Sequence, residues 1–201
     1  LGGGLKARGV GPRTTWARMG PNVPEYAIAF HGLAYAGATV TTLNPTYGAV
    51  EIGHQLRDSK ATAIITTQAF LATAREAAKT CGVEHIYLLG EGDAPSLSSL
   101  EGEPLPEQVE VDYAAHVVAL PYSSGTTGFP KGVMLTHRNL VANLCQAGPF
   151  LDLGEEDVCF AVLPFFHIYG MQVLMNMALS NGATVVTVPR FDLIKMLELV
   201  Q

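Results

Sequence analysis

Charge is scarce in this chain. Asp, Glu, Lys and Arg make up 15% of its 201 residues, against about 25% in an ordinary globular domain. With apolar residues at 48%, that composition excludes disorder, collagen and coiled coil. Basic residues number 12 against 18 acidic ones, for a net charge of -6. They form no cluster, so neither nucleic acid nor an anionic membrane surface is an expected partner. Cysteine is nearly absent. Cys81, Cys145 and Cys159 contain no CxxC pair, and the odd count supports neither a disulfide framework nor a thiolate zinc site. Each is expected to be a small buried hydrophobe in a reducing, cytoplasmic setting. The remaining histidines beside His167, namely His31, His54, His85, His116 and His137, show no metal-ligand spacing, so no protein-held metal is expected.

Three familiar motifs are also missing. Counting a GxxxxGK[ST] loop from Gly125 puts Pro130 where its second Gly belongs and Gly132 where a Ser or Thr belongs, so it fails at both positions. No GxGxxG follows a strand, and Pro121 stands where a GxSxG elbow around Ser123 needs its first Gly. Kinase, dehydrogenase and α/β-hydrolase readings lose their signatures.

What is present is a chain able to bury roughly 70% of its extended surface. Two stretches without any Asp, Glu, Lys or Arg, Tyr26 to Val50 and Val158 to Pro189, exceed the ~20 residues of a membrane helix. The first is broken by Asn44-Pro45, the second by Pro164, His167, Gln172, Asn176 and Asn181-Gly182. Both read as interior α/β segments rather than membrane spans.

Local patterns predict alternation. Asn22, Pro24 and Glu25 signal a helix start for Pro24 to Ala38. Val50 to Ser59 is amphipathic, Ala61 to Thr67 is a β-branched strand, and Ala69 to Thr80 is a helix stopped by Gly82. His85 to Leu89 is the next strand. The acidic, Pro- and Ser-bearing stretch 90–112 reads as a surface loop or linker. Beyond it come a strand at VVALPYS, a helix from His137 to Gln146, a strand from Val158 to Leu163, a helix from Gly170 to Ser180 and a strand from Ala183 to Val188. The β, α, β order points to an α/β fold of layered, mostly parallel sheets flanked by helices. FDLIKMLELVQ is helical in spacing with no stop signal, and the chain opens on Leu1, so a fragment is expected.

The chemistry concentrates in YSSGTTGFPKGVMLTH, Tyr122 to His137. A strand delivers the chain into Ser123, Ser124, Gly125, Thr126, Thr127 and Gly128, which offer hydroxyls and unhindered backbone N–H groups. Lys131 adds an ammonium. Such a run can wrap the phosphates of a nucleotide; composition alone fits an ordinary surface turn as well.

The motif resembles the phosphate-loop signature of the adenylate-forming superfamily, which includes acyl-CoA synthetases, 4-coumarate–CoA ligases and beetle luciferases. LPFFHIYGM, Leu163 to Met171, resembles its substrate-side motif. Weaker similarity runs through GPNVPEYAIAF, NPTYGAVEIGHQLRDSKATAIITT and GATVVTVPRFD. The resemblance implies the amino-terminal part of the large AMP-binding domain of such an enzyme over 1–201, with the small carboxy-terminal domain absent. It implies an ATP-dependent acid–thiol ligase: a fatty or arylpropenoic carboxylate attacks the α-phosphorus, pyrophosphate leaves, and coenzyme A captures the acyl-AMP.

ATP, Mg2+ and coenzyme A are the implied cofactors. Ser123 to Gly128 and Lys131 would hold the ATP phosphates, His167 would meet the reacting carboxylate, and Tyr169 would line the acyl pocket. Arg190 would touch the CoA phosphates; a surface Arg at a strand end is the equal alternative. Taken from its residues alone, His167 among Phe165, Phe166 and Tyr169 also fits a core histidine. Against the ligase stands a different class, a non-catalytic polypeptide that binds phosphate weakly.

One stretch departs from the family. PRTTWARM, where the resemblance implies an apolar strand, places Arg13, Trp16 and Arg18 as poor occupants of a buried parallel strand. A local error of reading frame or a displaced strand would each account for it.

Overall fold

The computed structural model describes residues 1–123 and 130–200, with the side chains of 195, 199 and 200 outside the description. A large sheet holds β1 (Thr15–Met19), β2 (Thr39–Leu43), β3 (Ala63–Thr66), β4 (His85–Leu88) and β5 (Val117–Ser123) in the order β4-β3-β1-β2-β5, all parallel. Two short strands, β6 (Lys131–Gly132) and β7 (Leu135–Thr136), return antiparallel against β5. The pair β8 (Val158–Ala161) and β9 (Thr184–Thr187) forms a separate parallel sheet. Layered, mostly parallel sheets with flanking helices are what the alternation implied.

Parallel strands need cover on both faces, and the pleat supplies alternate side chains to each. Trp16, Val40 and Val118 pack with Tyr26, Phe30 and Leu33 of α2 (Pro24–Tyr35) on one face. Ala17, Leu43 and Ile64 pack on the other, with Ile52 and Leu56 of α3 (Ala49–Asp58) and Ala74 and Ala77 of α4 (Leu71–Cys81). The helix α4 stops as the sequence indicates: Gly82 takes φ +72, the left-handed cap that releases the chain into β4. Ahead of β1 lies α1 (Gly2–Ala7), which no start signal announced. Within 90–112, Leu97–Leu100 form a 3-10 turn whose two leucines are buried in the first core face.

The departing stretch is not displaced. Thr15–Met19 is β1, in register with both neighbours, Arg18 opposite Thr42 and Ile65. Trp16 is accommodated by stacking on Tyr87, centroids 5.5 Å apart. Arg18 is wholly buried, its guanidinium 4.2 Å from the centre of the Tyr26 ring. Gly20 leaves space for that head group, since a Cβ there would lie 2.7 Å from Nη1. Among the described residues none of the three guanidinium nitrogens has a hydrogen-bond partner. Burial lowers the Arg18 pKa to about 10, so it stays charged at neutral pH, and burial also pushes the Tyr26 phenol up.

A cation–π contact of ~0.5–2 kcal/mol does not offset the desolvation of a charge without hydrogen bonds. Arg18→Leu is therefore expected to stabilise the chain by about 1–4 kcal/mol, read as a higher urea midpoint at unchanged slope. A lower midpoint would show that the guanidinium is compensated.

Other departures have local causes. The strand β2, TVTTL, was not expected; its Thr39 and Thr41 hydroxyls donate to Val117 and Leu120 carbonyls, so threonines serve a buried strand. Helix α5 (His137–Leu151) opens on a capping box of Thr136 and Asn139 and continues past Gln146 through Gly148 and Pro149 to a left-handed Asp152. Gly170–Met177 winds as a π-helix before the short α6 (Ala178–Ser180). Contrary to expectation the cysteines are not all buried: Cys145 is exposed on α5, and Cys81 and Cys159 are half-buried. The last helix is α7 (Leu193–Val200). The first charge-free stretch becomes α2, β2 and the start of α3, the second β8, the π-helix and β9. Among the described residues no helix is long and apolar enough to cross a membrane.

Candidate functional site

β2 and β5 run side by side to their carboxyl ends, where Thr42 faces Pro121. In open parallel sheets ligands bind in the crevice beyond such ends. A cavity of about 300 Å³ opens there, lined among others by Thr42, Gln55, Tyr122, Ser123, Phe166 and His167. It brings together two motifs that stand far apart in the chain.

Ser123 ends β5 and pairs with Lys131, while Tyr122 pairs with Gly132. Val133 N–H donates to the Pro121 carbonyl (2.8 Å). The chain on either side of 124–129 is therefore hydrogen-bonded into an antiparallel pair, with the exposed Lys131 opposite Ser123. Ser124, Gly125, Thr126, Thr127 and Gly128 lie outside the described residues.

His167 is carried by a turn held from three sides. Asn22 Nδ2 donates to the carbonyls of Ala161 (3.0 Å) and Leu163 (2.8 Å), and its Oδ1 accepts from Phe165 N–H (2.8 Å). Thr42 Oγ1 donates to the Phe166 carbonyl (2.7 Å), and His167 N–H donates to the Pro164 carbonyl (3.1 Å). Gln55 fixes the strand beneath, donating to Thr41 Oγ1 (3.0 Å) and the Thr42 carbonyl (2.9 Å). The His167 ring is exposed, not a core histidine, and its Nδ1 accepts from Tyr169 N–H (3.2 Å). With Nδ1 occupied as an acceptor, the neutral ring carries its proton on Nε2. That proton is a donor available to a ligand.

Tyr169 is half-exposed and meets His167 through its backbone. Arg190 is exposed after β9 and lines a second cavity, of about 610 Å³, which shares Asn44 and Phe166 with the first. The structure thus puts Ser123 and His167 on one cavity, Lys131 beside Ser123, and Arg190 on the neighbouring cavity.

Asn22, Thr42, Gln55 and Tyr122 were not anticipated. Asn22 was read as a helix start, but the helix is capped at Val23 without any side-chain bond, and Asn22 spends its amide on the His167 turn. No local signal shows a partner some 140 residues away. Among the described residues no group of three or more His, Cys, Asp or Glu could hold a metal. Burial lowers the pKa of His31, His116 and His137.

The family model described as "AMP-binding enzyme" matches residues 1–201. 4-coumarate–CoA ligase 5 of Oryza sativa subsp. japonica is 40% identical across 98% of the chain, and 4-coumarate–CoA ligase 1 of Petroselinum crispum is 37% identical across 98%. The chain spans 38% of the length of each. Among solved structures, a long-chain-fatty-acid–CoA ligase from Archaeoglobus fulgidus superposes with a TM-score of 0.90 at 30% identity, covering 99% of this chain and 40% of that one. ATP-bound MatB from Rhodopseudomonas palustris superposes at 0.83 with 26% identity, covering 98% and 39%. The family model matches along the whole chain, and relatives and solved structures of the same kind match across nearly all of it, which leads to one assignment: the chain belongs to the AMP-binding enzyme family.

Proposed function

We propose that this chain supplies the phosphate-binding and acyl-side parts of an ATP-dependent acid–thiol ligase. The observation that carries the reading is the shared cavity of Ser123 and His167 at the carboxyl end of the parallel sheet, with Lys131 paired to Ser123. In this reading the carboxylate attacks the α-phosphorus of ATP. Negative charge grows on the departing pyrophosphate, and Ser123, Lys131 and the residues of 124–128 stabilise it. Nε2–H of His167 orients the carboxylate from the other side without offering a competing base. Mg2+ would neutralise part of the phosphate charge.

Coenzyme A suits the neighbouring cavity, where Arg190 presents five donors to its phosphates. Tyr169 is assigned to the acyl pocket. The names of the curated relatives favour an arylpropenoic acid, such as 4-coumarate, over a fatty acid. Three unpaired cysteines suit a reducing cytoplasm.

Lys131 and His167 should separate kinetically. Lys131→Ala is expected to slow adenylation of every acid alike, by about 1–3 kcal/mol of transition-state stabilisation. His167→Ala should change the acid-dependent constants and leave ATP affinity nearly intact. Adenylation and thioester formation, measured separately alongside melting curves, check this; parallel losses that track stability would remove both residues from the site.

A further inference from the structure

Tyr122 is the residue before the phosphate loop, and its side chain reaches away from the strand to α3. Its hydroxyl donates to Oδ2 of Asp58, the last residue of that helix. Its ring lies on the opposite arm of the hairpin: a Cβ added to Gly132 would stand 3.3 Å from ring atoms Cε2 and Cζ. One side chain therefore touches both arms, immediately before Ser123 on β5 and immediately after Lys131 on β6.

The anchor is itself fixed, because Gln55, one turn back on α3, is bonded to the end of β2. We propose that Asp58 and Tyr122 form a latch that sets the pose of the Ser123–Lys131 pair, making both of them positioning residues for the bound phosphates. This rests on the phosphate-binding role proposed above. Burial first, and then the Asp58 carboxylate, push the Tyr122 phenol up, as expected of a hydroxyl committed to donating. A phenol donating to a carboxylate is a charge-assisted bond, stronger than its neutral counterpart. Asp58 is exposed, so its replacement removes the bond without opening a core cavity.

The test is binding of inorganic pyrophosphate by titration calorimetry to the wild-type chain, Lys131→Ala, Asp58→Ala, Tyr122→Phe, the Asp58→Ala/Tyr122→Phe pair and Asp58→Glu. A latch predicts about tenfold weaker binding for each single change. The double variant should be no weaker than either single, because one bond is lost only once. Asp58→Glu, which keeps a carboxylate, should recover part of the affinity, and melting temperatures should stay level across the set. Wild-type affinity in Asp58→Ala and Tyr122→Phe, or losses that add or follow the melting temperature, overturns the latch while Lys131→Ala still reports phosphate binding. If the wild type fails to bind and Lys131→Ala is indistinguishable from it, the phosphate-binding reading fails and takes the latch with it.

Discussion

Asn22→Ala is expected to destabilise the chain by about 3–5 kcal/mol, because three hydrogen bonds end on one amide and their partners stay behind. The Ala161 carbonyl and the Phe165 N–H are buried and have no water to turn to. Each orphaned group costs about 1–3 kcal/mol. The damage is also directional, since Asn22 ties the first sheet to the segment that leads from β8 into the His167 turn. Asn22→Asp sharpens the test. A carboxylate still accepts from Phe165 N–H, but its second oxygen faces the Ala161 and Leu163 carbonyls where Nδ2 donated. Asp should therefore be no better than Ala. Urea unfolding of both variants, with hydrogen exchange at the Phe165 amide, measures it. A loss below about 1 kcal/mol, or rescue by Asp, would mean that the amide is not the tie.

Gly170→Ala is expected to be as severe, by at least about 3 kcal/mol, for steric reasons. An added Cβ would stand 2.6 Å from the Pro164 carbonyl carbon and 2.9 Å from the Leu163 carbonyl oxygen, with the Pro164 oxygen closer still. These are backbone atoms of the turn that holds His167, so relief requires the turn to move. Ordinary helical glycines behave in the opposite way, gaining roughly 0.5–1 kcal/mol on change to Ala. Gly148 in α5 is the internal control: the nearest atom to its added Cβ is Met177 Sδ at 3.7 Å. Melting curves should rise or hold for Gly148→Ala and fall steeply for Gly170→Ala. Equal behaviour would show that the turn is not tightly set.

Much of this architecture is legible in the chain because local chemistry and tertiary placement agree. ATAIITT is β-branched and buried at every position of β3. Gly82 sits where a left-handed stop is needed, and β5, which leads into the Gly/Ser/Thr run, could be read from its apolar pattern. The misses occur where a residue's partner is remote. Arg18 argued against a strand because a guanidinium is read as a surface group, yet Tyr26 and Gly20 make a slot for it. β2 was not read at all; its Thr39 and Thr41 hydroxyls are satisfied by β5 carbonyls that only the fold brings near. The helix expected to end at Gln146 runs on through Gly148 and Pro149 to Leu151. The site divides in the same way. Ser123, Lys131, His167, Tyr169 and Arg190 could be singled out from their motifs, while Asn22, Thr42, Gln55 and Tyr122 act through bonds to residues that sequence distance conceals, even where they too fall in family-like stretches.

The claim at the centre is that the Ser123–Lys131 hairpin and the His167 turn bind the two ends of one reaction. Acid-dependent exchange of labelled pyrophosphate into ATP, catalysed by the protein that carries this sequence, tests it most directly. With 4-coumarate, related arylpropenoic acids and a series of fatty acids as the panel, exchange is predicted with at least one acid, slowed for every acid alike in Lys131→Ala and shifted in its acid dependence by His167→Ala. No exchange with any acid of the panel at saturating ATP would contradict it.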